Sequence, residues 1–194
     1  MRRSTSRLMG FCAAAAAALS PSCGGGGGGH SSSGPALRCS DSTVAANVVA
    51  LTCGPLIQGG IIRVVVTLGG PTLTSDIMGF NFDVVFAPTD LTFVSGSGAV
   101  GPLLSQGGDS PLLQASLASN DPGRLIVGIR RTVQTAGVQG AAGPNTVLTF
   151  ELKADPGVTF GPALISFQNA EAVDSLGNPI ASISFSDQLL LSVQ

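Results

Sequence analysis

The chain has 194 residues, of which 10% are charged and 44% apolar, and 27 glycines and 12 prolines interrupt it. That balance argues against a disordered polymer for the bulk of the chain, and the length leaves room for one domain of ordinary size plus appendages. The formal net charge is −2, and with one lysine and no basic stripe to track a phosphate backbone, nucleic acid is excluded as a partner.

Arg2, Arg3 and Arg7 precede an apolar stretch, Leu8 to Phe11, Cys12, the alanine run Ala13 to Ala18, and Leu19. About a dozen apolar residues are too few to cross a hydrocarbon core of roughly 30 Å, so residues 1–22 are expected to be a cleaved export signal. Leu19-Ser20-Pro21-Ser22-Cys23 resembles the lipobox of bacterial lipoproteins, where cleavage precedes a cysteine that is then lipidated. The resemblance implies that Cys23 carries a lipid and that the protein sits on an outer membrane or cell surface. The alternative is ordinary secretion after cleavage near the alanines. Loss of residues 1–22 would leave six basic against eleven acidic side chains, 6 − 11 = −5, a mildly acidic protein.

Residues 23–58 are expected to form a Gly/Ser-rich tether and a disulfide-bearing lead-in. Gly24 to Pro35 has the composition of a flexible linker, and the sole histidine, His30, falls inside it without a rigid frame for catalysis or metal binding. Once Cys12 is discarded and Cys23 assigned to the lipid, Cys39 and Cys53 remain as a pair in an oxidising compartment. A disulfide there would be worth roughly 3 kcal/mol on chain-entropy grounds. Two free thiols, or two ligands of a metal site with no second Cys or His pair to complete it, are the alternatives. Non-reducing mass spectrometry with both thiols open to alkylation would refute the disulfide.

From residue 59 to 194 the chain alternates short strands with Gly, Pro, Asn and Asp clusters. Ile62, Val64, Val66 and Leu68 fall on every second residue and end at Gly69-Gly70-Pro71. Met78, Phe80, Phe82, Val84 and Phe86 repeat the period, Ala87-Pro88-Thr89-Asp90 turns, and Leu91 and Phe93 resume it. Gly96 to Ser110 reads as a long loop. Leu112, Gln114 and Ser116 begin a strand, Asn120-Asp121-Pro122-Gly123 turns, and Leu125, Val127 and Ile129 follow. Leu148, Phe150 and Leu152 form a half-buried strand. Ile165 with Phe167, Ile183 with Phe185, and Leu189, Leu191 and Val193 mark the last strands. About nine strands with turns between them, and no helical period, predict an all-β fold, an antiparallel β-sandwich. The seven phenylalanines at 80, 82, 86, 93, 150, 167 and 185 are expected in its core.

Catalysis has little to build on. The predicted domain lacks histidine and cysteine, its serines have no imidazole to activate them, and no G-x-S-x-G elbow is present. Carboxylates at 83, 109, 121, 151, 155, 171, 174 and 187 provide nominal glycosidase pairs, but most lie beside turn residues, where carboxylates bond backbone. Asp174 to Asn178 and Asn120 to Gly123 lack the alternating acids of a calcium loop and read as turns, so no metal or cofactor is expected.

The run Gly79-Phe80-Asn81-Phe82-Asp83-Val84-Val85-Phe86-Ala87-Pro88-Thr89-Asp90-Leu91 resembles the G-f-x-f-x-l-x-y-D-P-x-x-L signature of cohesin domains. Ile62 to Leu68, Gly123 to Ile129, Val147 to Leu152 and Leu176-Gly177-Asn178-Pro179 are similar, in order and spacing, to other cohesin strands and to a turn near the domain's end. Residues 59–194 are covered. Ala87 departs from the usual Asp before Pro, which touches the local turn bond. The resemblance implies a nine-stranded jelly-roll sandwich that is not an enzyme and that binds dockerin modules of polysaccharide-degrading assemblies through one sheet face. Asn81 and Asp83 match positions on that face, and Arg130 on a later strand is a further candidate. Two other roles stand beside it: direct polysaccharide binding, against which the lack of Trp and Tyr weighs, and a structural part in the cell envelope.

Overall fold

The structure is a computed structural model, and the residues it describes are 37–132, 135–186 and 189–193. The lipidation candidate Cys23 and the carboxylate at 187 lie outside them. Two six-stranded sheets are formed. In the first, β1 (Leu37–Ser40), β12 (Leu189–Val193), β10 (Phe160–Val173), β4 (Gly79–Val85), β8 (Asp121–Arg130) and β7 (Leu112–Ala118) lie side by side in that order. In the second the order is β11 (Ser184–Ser186), β2 (Val48–Ile57), β3 (Ile61–Gly70), β9 (Gly143–Ala154) and β5 (Leu91–Phe93), with β6 (Ala99–Val100) also on β9.

Period-two patterning explains the layers. The inward rows are Phe80, Phe82 and Val84 on β4, and Leu125, Val127 and Ile129 on β8. They face Ile62, Val64 and Val66 on β3, which sit opposite Leu152, Phe150 and Leu148 on β9. Alternating side chains place one whole row in the core. All the expected core phenylalanines are buried except Phe185, which is half-buried against the same cluster.

The proline corner does more than turn the chain. Strand β4 belongs to the first sheet and β5 to the second, so Ala87 to Asp90 carries the chain across the sandwich. The amides of Asp90 and Leu91 both donate to the Ala87 carbonyl, at 3.1 and 3.0 Å, so the backbone closes the turn without an aspartate at that position. Gly123 packs beneath: its carbonyl accepts from the Phe86 amide at 2.9 Å, and a Cβ there would fall 2.6 Å from the Phe86 oxygen.

Several features differ from the sequence expectation. Among the described residues the sheets contain twelve strands where about nine were expected, because the lead-in before residue 59 is folded into them as β1 and β2 and the expected loop after Gly96 supplies β6. Strand β2 was obscured by Gly54 and Pro55, which interrupt its alternation at the register shift between Cys53 and Leu56. The sandwich is not wholly antiparallel: β11 runs parallel to β2, pairing Phe185 with Val49, since the chain crosses from the first sheet after β10 and arrives beside its own beginning. The hairpin between β7 and β8 turns at Ser119 and Asn120, so Asp121 already pairs with Ala118. The Asp121 carboxylate accepts from the Gly123 amide at 3.1 Å, an Asx bond that bridges the N–H missing at Pro122. Gly96 to Ser110 holds β6 and a single 3-10 turn, Gln106–Gly108.

Cys39 and Cys53 form the disulfide, with Cα atoms 5.9 Å apart. It links β1 of the first sheet to β2 of the second, so it ties the two layers together at one side of the sandwich.

Two charged clusters hold loops. Buried Arg131 donates to the carbonyls of Leu104 and Gln106, both at 2.9 Å, and its Nε lies 3.6 Å from Oδ2 of buried Asp109. Asp109 in turn accepts from the Thr132 amide at 3.1 Å. Asp76 joins three loops, accepting from the Gly137 amide at 2.9 Å and from the hydroxyl and amide of Ser175 at 2.8 and 3.3 Å. The Ser175 hydroxyl is the main cause that holds the Asp76 carboxyl below its ordinary range; slight desolvation opposes it and the two amides add to it. A carboxyl depressed in the folded state contributes stability above its unfolded pKa and loses it as pH falls through the folded value. Asp76→Asn is therefore expected to lower Tm at neutral pH, with the gap to wild type closing in acid. Thermal melts across that acidic range check it.

Candidate functional site

The outer face of the first sheet is the broadest surface on which the sequence-selected residues meet. Strand β4 turns Asn81 and Asp83 outward, β8 turns Arg124, Ile126, Gly128 and Arg130, and β7 turns Leu112, Gln114 and Ser116. Antiparallel register fixes the rows. Glu171, Asn81, Gly128 and Gln114 lie across one, and Gln168, Asp83, Ile126 and Ser116 across the next. A third row sets Gly79 beside Arg130 and Leu112.

The three candidate residues have different surroundings. Asn81 is exposed and donates from Nδ2 to Glu171 Oε1 at 3.2 Å. Arg130 is exposed at the end of β8, and its guanidinium has no ion-pair partner among the described residues. Asp83 points to the same side but is only 8% exposed. Asn169 Nδ2 donates to its Oδ2 at 2.8 Å, and Arg124 approaches the same oxygen at 3.7 Å.

The cover over Asp83 comes from a bulge. Strand β10 shifts register between Gln168 and Glu171, and Asn169 adopts φ 49° there. Asparagine tolerates the left-handed region better than most residues, so the bulge re-aims its amide onto the neighbouring strand. Asp83 is thus an internal strut of the face, its charge met by Asn169 and Arg124.

Sequence patterning missed the apolar part of this surface. Ile126 is 42% exposed and Leu112 is 68% exposed. Ile126 lies in the unbroken apolar run Leu125-Ile126-Val127, where the excess of hydrophobic residues over one buried row was the available signal. Gly128 leaves a low spot between Asn81 and Gln114, since no side chain rises from it. The face combines exposed apolar groups with an arginine, amides and a carboxylate, a composition suited to a protein partner.

The remaining carboxylates weighed for chemistry are occupied by structure. Glu151 pairs with Arg63 at 2.8 Å, Asp155 accepts from the Thr92 hydroxyl at 3.0 Å, and Asp174 accepts from the amides of Leu176 and Asn178 in its own turn. Among the described residues no group of three or more His, Cys, Asp or Glu side chains gathers to hold a metal.

The sequence matches no protein-family model and no curated protein. Solved structures do match. A type II cohesin domain from the cellulosome of Acetivibrio cellulolyticus superposes with a TM-score of 0.54 at 15% identity, over 76% of this chain and 94% of that one. Type II cohesin A11 from Bacteroides cellulosolvens gives 0.54 at 14% identity, over 74% and 97%. A type I cohesin–dockerin complex from Clostridium thermocellum gives 0.53 at 12% identity, over 78% and 96%. Two packed sheets, the β4–β5 crossing at a proline corner and agreement across nearly the whole of each neighbour lead to one conclusion: this chain has the cohesin fold.

Proposed function

We propose that this chain is an exported, non-catalytic binding module that receives a dockerin-like protein domain on the outer face of β10, β4, β8 and β7. The observation that carries the reading is the pairing of a cohesin fold with exposed Ile126 and Leu112 beside Arg130 and Asn81 on one sheet face. The Clostridium thermocellum neighbour was solved with a dockerin bound. Export is supported by the Cys39–Cys53 disulfide, which persists in oxidising compartments. In the fuller form of the reading Cys23 carries the acyl anchor, and the partner belongs to a polysaccharide-degrading or envelope assembly.

Calorimetric titration against a panel of dockerin modules tests the proposal, with soluble and insoluble polysaccharides as the competing ligands. Ile126→Lys and Arg130→Glu are each expected to weaken dockerin binding about tenfold or more, as loss of a hot-spot contact does. Both positions are exposed, so Tm should stay near wild type. Binding that ignores both substitutions, or binding to polysaccharide alone, would overturn the assignment.

A further inference from the structure

A sheet edge presents N–H and C=O groups that another chain can pair with, and folded proteins blunt such edges with short strands, charges, prolines or bulges. Among the described residues most edges here are blunted by length. Strand β1 has 4 residues, β11 has 3, and β5 and β6 have 3 and 2. The exception is β7, the last strand of the first sheet, with 7 residues and neither a charge nor a proline among them. Its one irregularity lies at the hairpin end, between Leu117 and Ala118, which leaves residues 112–117 a regular, uncharged edge.

The same strand is complementary to itself. In an antiparallel pairing centred on Ala115, Leu113 faces Leu117 of a second copy, Ala115 faces Ala115, and Gln114 faces Ser116. Leu113 and Ala115 turn toward the core side, whereas Gln114 and Ser116 turn outward. Apolar therefore meets apolar on the inner row and polar meets polar on the outer. Moving the centre to Gln114 sets Leu112 against Ser116, and moving it to Ser116 sets Leu113 against Ser119, so the Ala115 register is preferred.

The inner side has room for this contact. A groove of ≈ 240 Å³ lined by Gly96, Gly98, Val100, Leu113 and Ala115 opens beneath the edge. Leu117, 37% exposed, is the residue that a second copy would lay over Leu113 at its mouth.

We infer that β7 is a homodimerisation edge, through which two copies pair antiparallel about a two-fold axis at Ala115 and join their first sheets into one. The axis stands perpendicular to the sheet, so both outer faces look the same way. The dimer presents two copies of the candidate face side by side, an arrangement that raises avidity for a partner carrying two modules. Self-pairing does not depend on what that face binds.

Sedimentation equilibrium on the full chain carrying Cys23→Ser tests the edge. A dimer is expected. The double variant Gln114→Lys/Ser116→Lys changes exposed side chains only and sets lysines opposite lysines, so the dimer dissociation constant should rise about tenfold or more. Gln114→Glu/Ser116→Glu should do the same alone, and an equimolar mixture of the two variants should restore dimers. Circular dichroism should match wild type for both, and Tm should match at protein concentrations below the wild-type dimer dissociation constant. A monomeric wild type, variants that dimerise as tightly as wild type, or a mixture that stays monomeric would each overturn the inference.

Discussion

Arg131→Met is expected to destabilise the sandwich by about 3–5 kcal/mol, because it removes one partner of a buried ion pair and leaves the other charged. Asp109 is enclosed with Arg131, and the two carbonyls that the guanidinium serves, on Leu104 and Gln106, also lose their donors. Arg131 anchors the loop from Leu104 to Asp109, so the amides of that stretch should exchange faster as well. In a domain of this size the loss corresponds to a fall in Tm of roughly 10 °C or more. Replacing Asp109 as well, with Leu, removes the stranded charge. The double variant should then be less destabilised than the sum of the two single changes, a coupling read from denaturant unfolding of all four proteins. Strict additivity would mean that the two side chains stabilise the loop independently.

Phe82→Ala is the second large effect, expected at about 3–5 kcal/mol for loss of a buried ring and the cavity left behind. Phe82 projects from the motif strand β4 and meets Phe167 of β10 edge-on, with ring centroids 5.1 Å apart. It also lies 6.3 Å from Phe185 of β11, in the opposite sheet, and Phe167 and Phe185 themselves contact edge-on at 5.3 Å. The three rings therefore bridge both layers near the place where β11 closes beside β2. Truncating Phe82, the most deeply buried of the three, should loosen the contact between the sheets, whereas Phe82→Leu, which fills more of the volume, should cost less. Thermal or urea unfolding measures both. A loss below about 1 kcal/mol for Phe82→Ala would show that the neighbours collapse into the space.

Reading the face and the core from one strand explains where sequence reasoning succeeded. Phe80, Phe82 and Val84 declare the inner row by period alone, and their neighbours are placed outward by the same geometry. The period does not say what stands over an outward residue. Asp83 is covered by Asn169, some 86 residues later in the chain, and that contact exists because a bulge in β10 swings one amide across the strand boundary. Ile126 falls outward by the same period that puts Leu125, Val127 and Ile129 inward, but the period does not say that it stays uncovered while Asp83 on the same row is capped.

The amino-acid sequence by itself determined that the chain is an all-β sandwich, which rows of side chains fill the core and where the proline corner lies, and it marked Cys39 and Cys53 as the candidate pair. These follow from local alternation, turn chemistry and a short inventory of thiols. The tertiary structure alone decided that the lead-in forms two of the strands, that β11 returns parallel to β2, that Asp83 is satisfied internally, and that β7 is left as a long uncharged edge. Each of these depends on strand order and long-range register, which join residues far apart in the chain and leave no periodic mark along it.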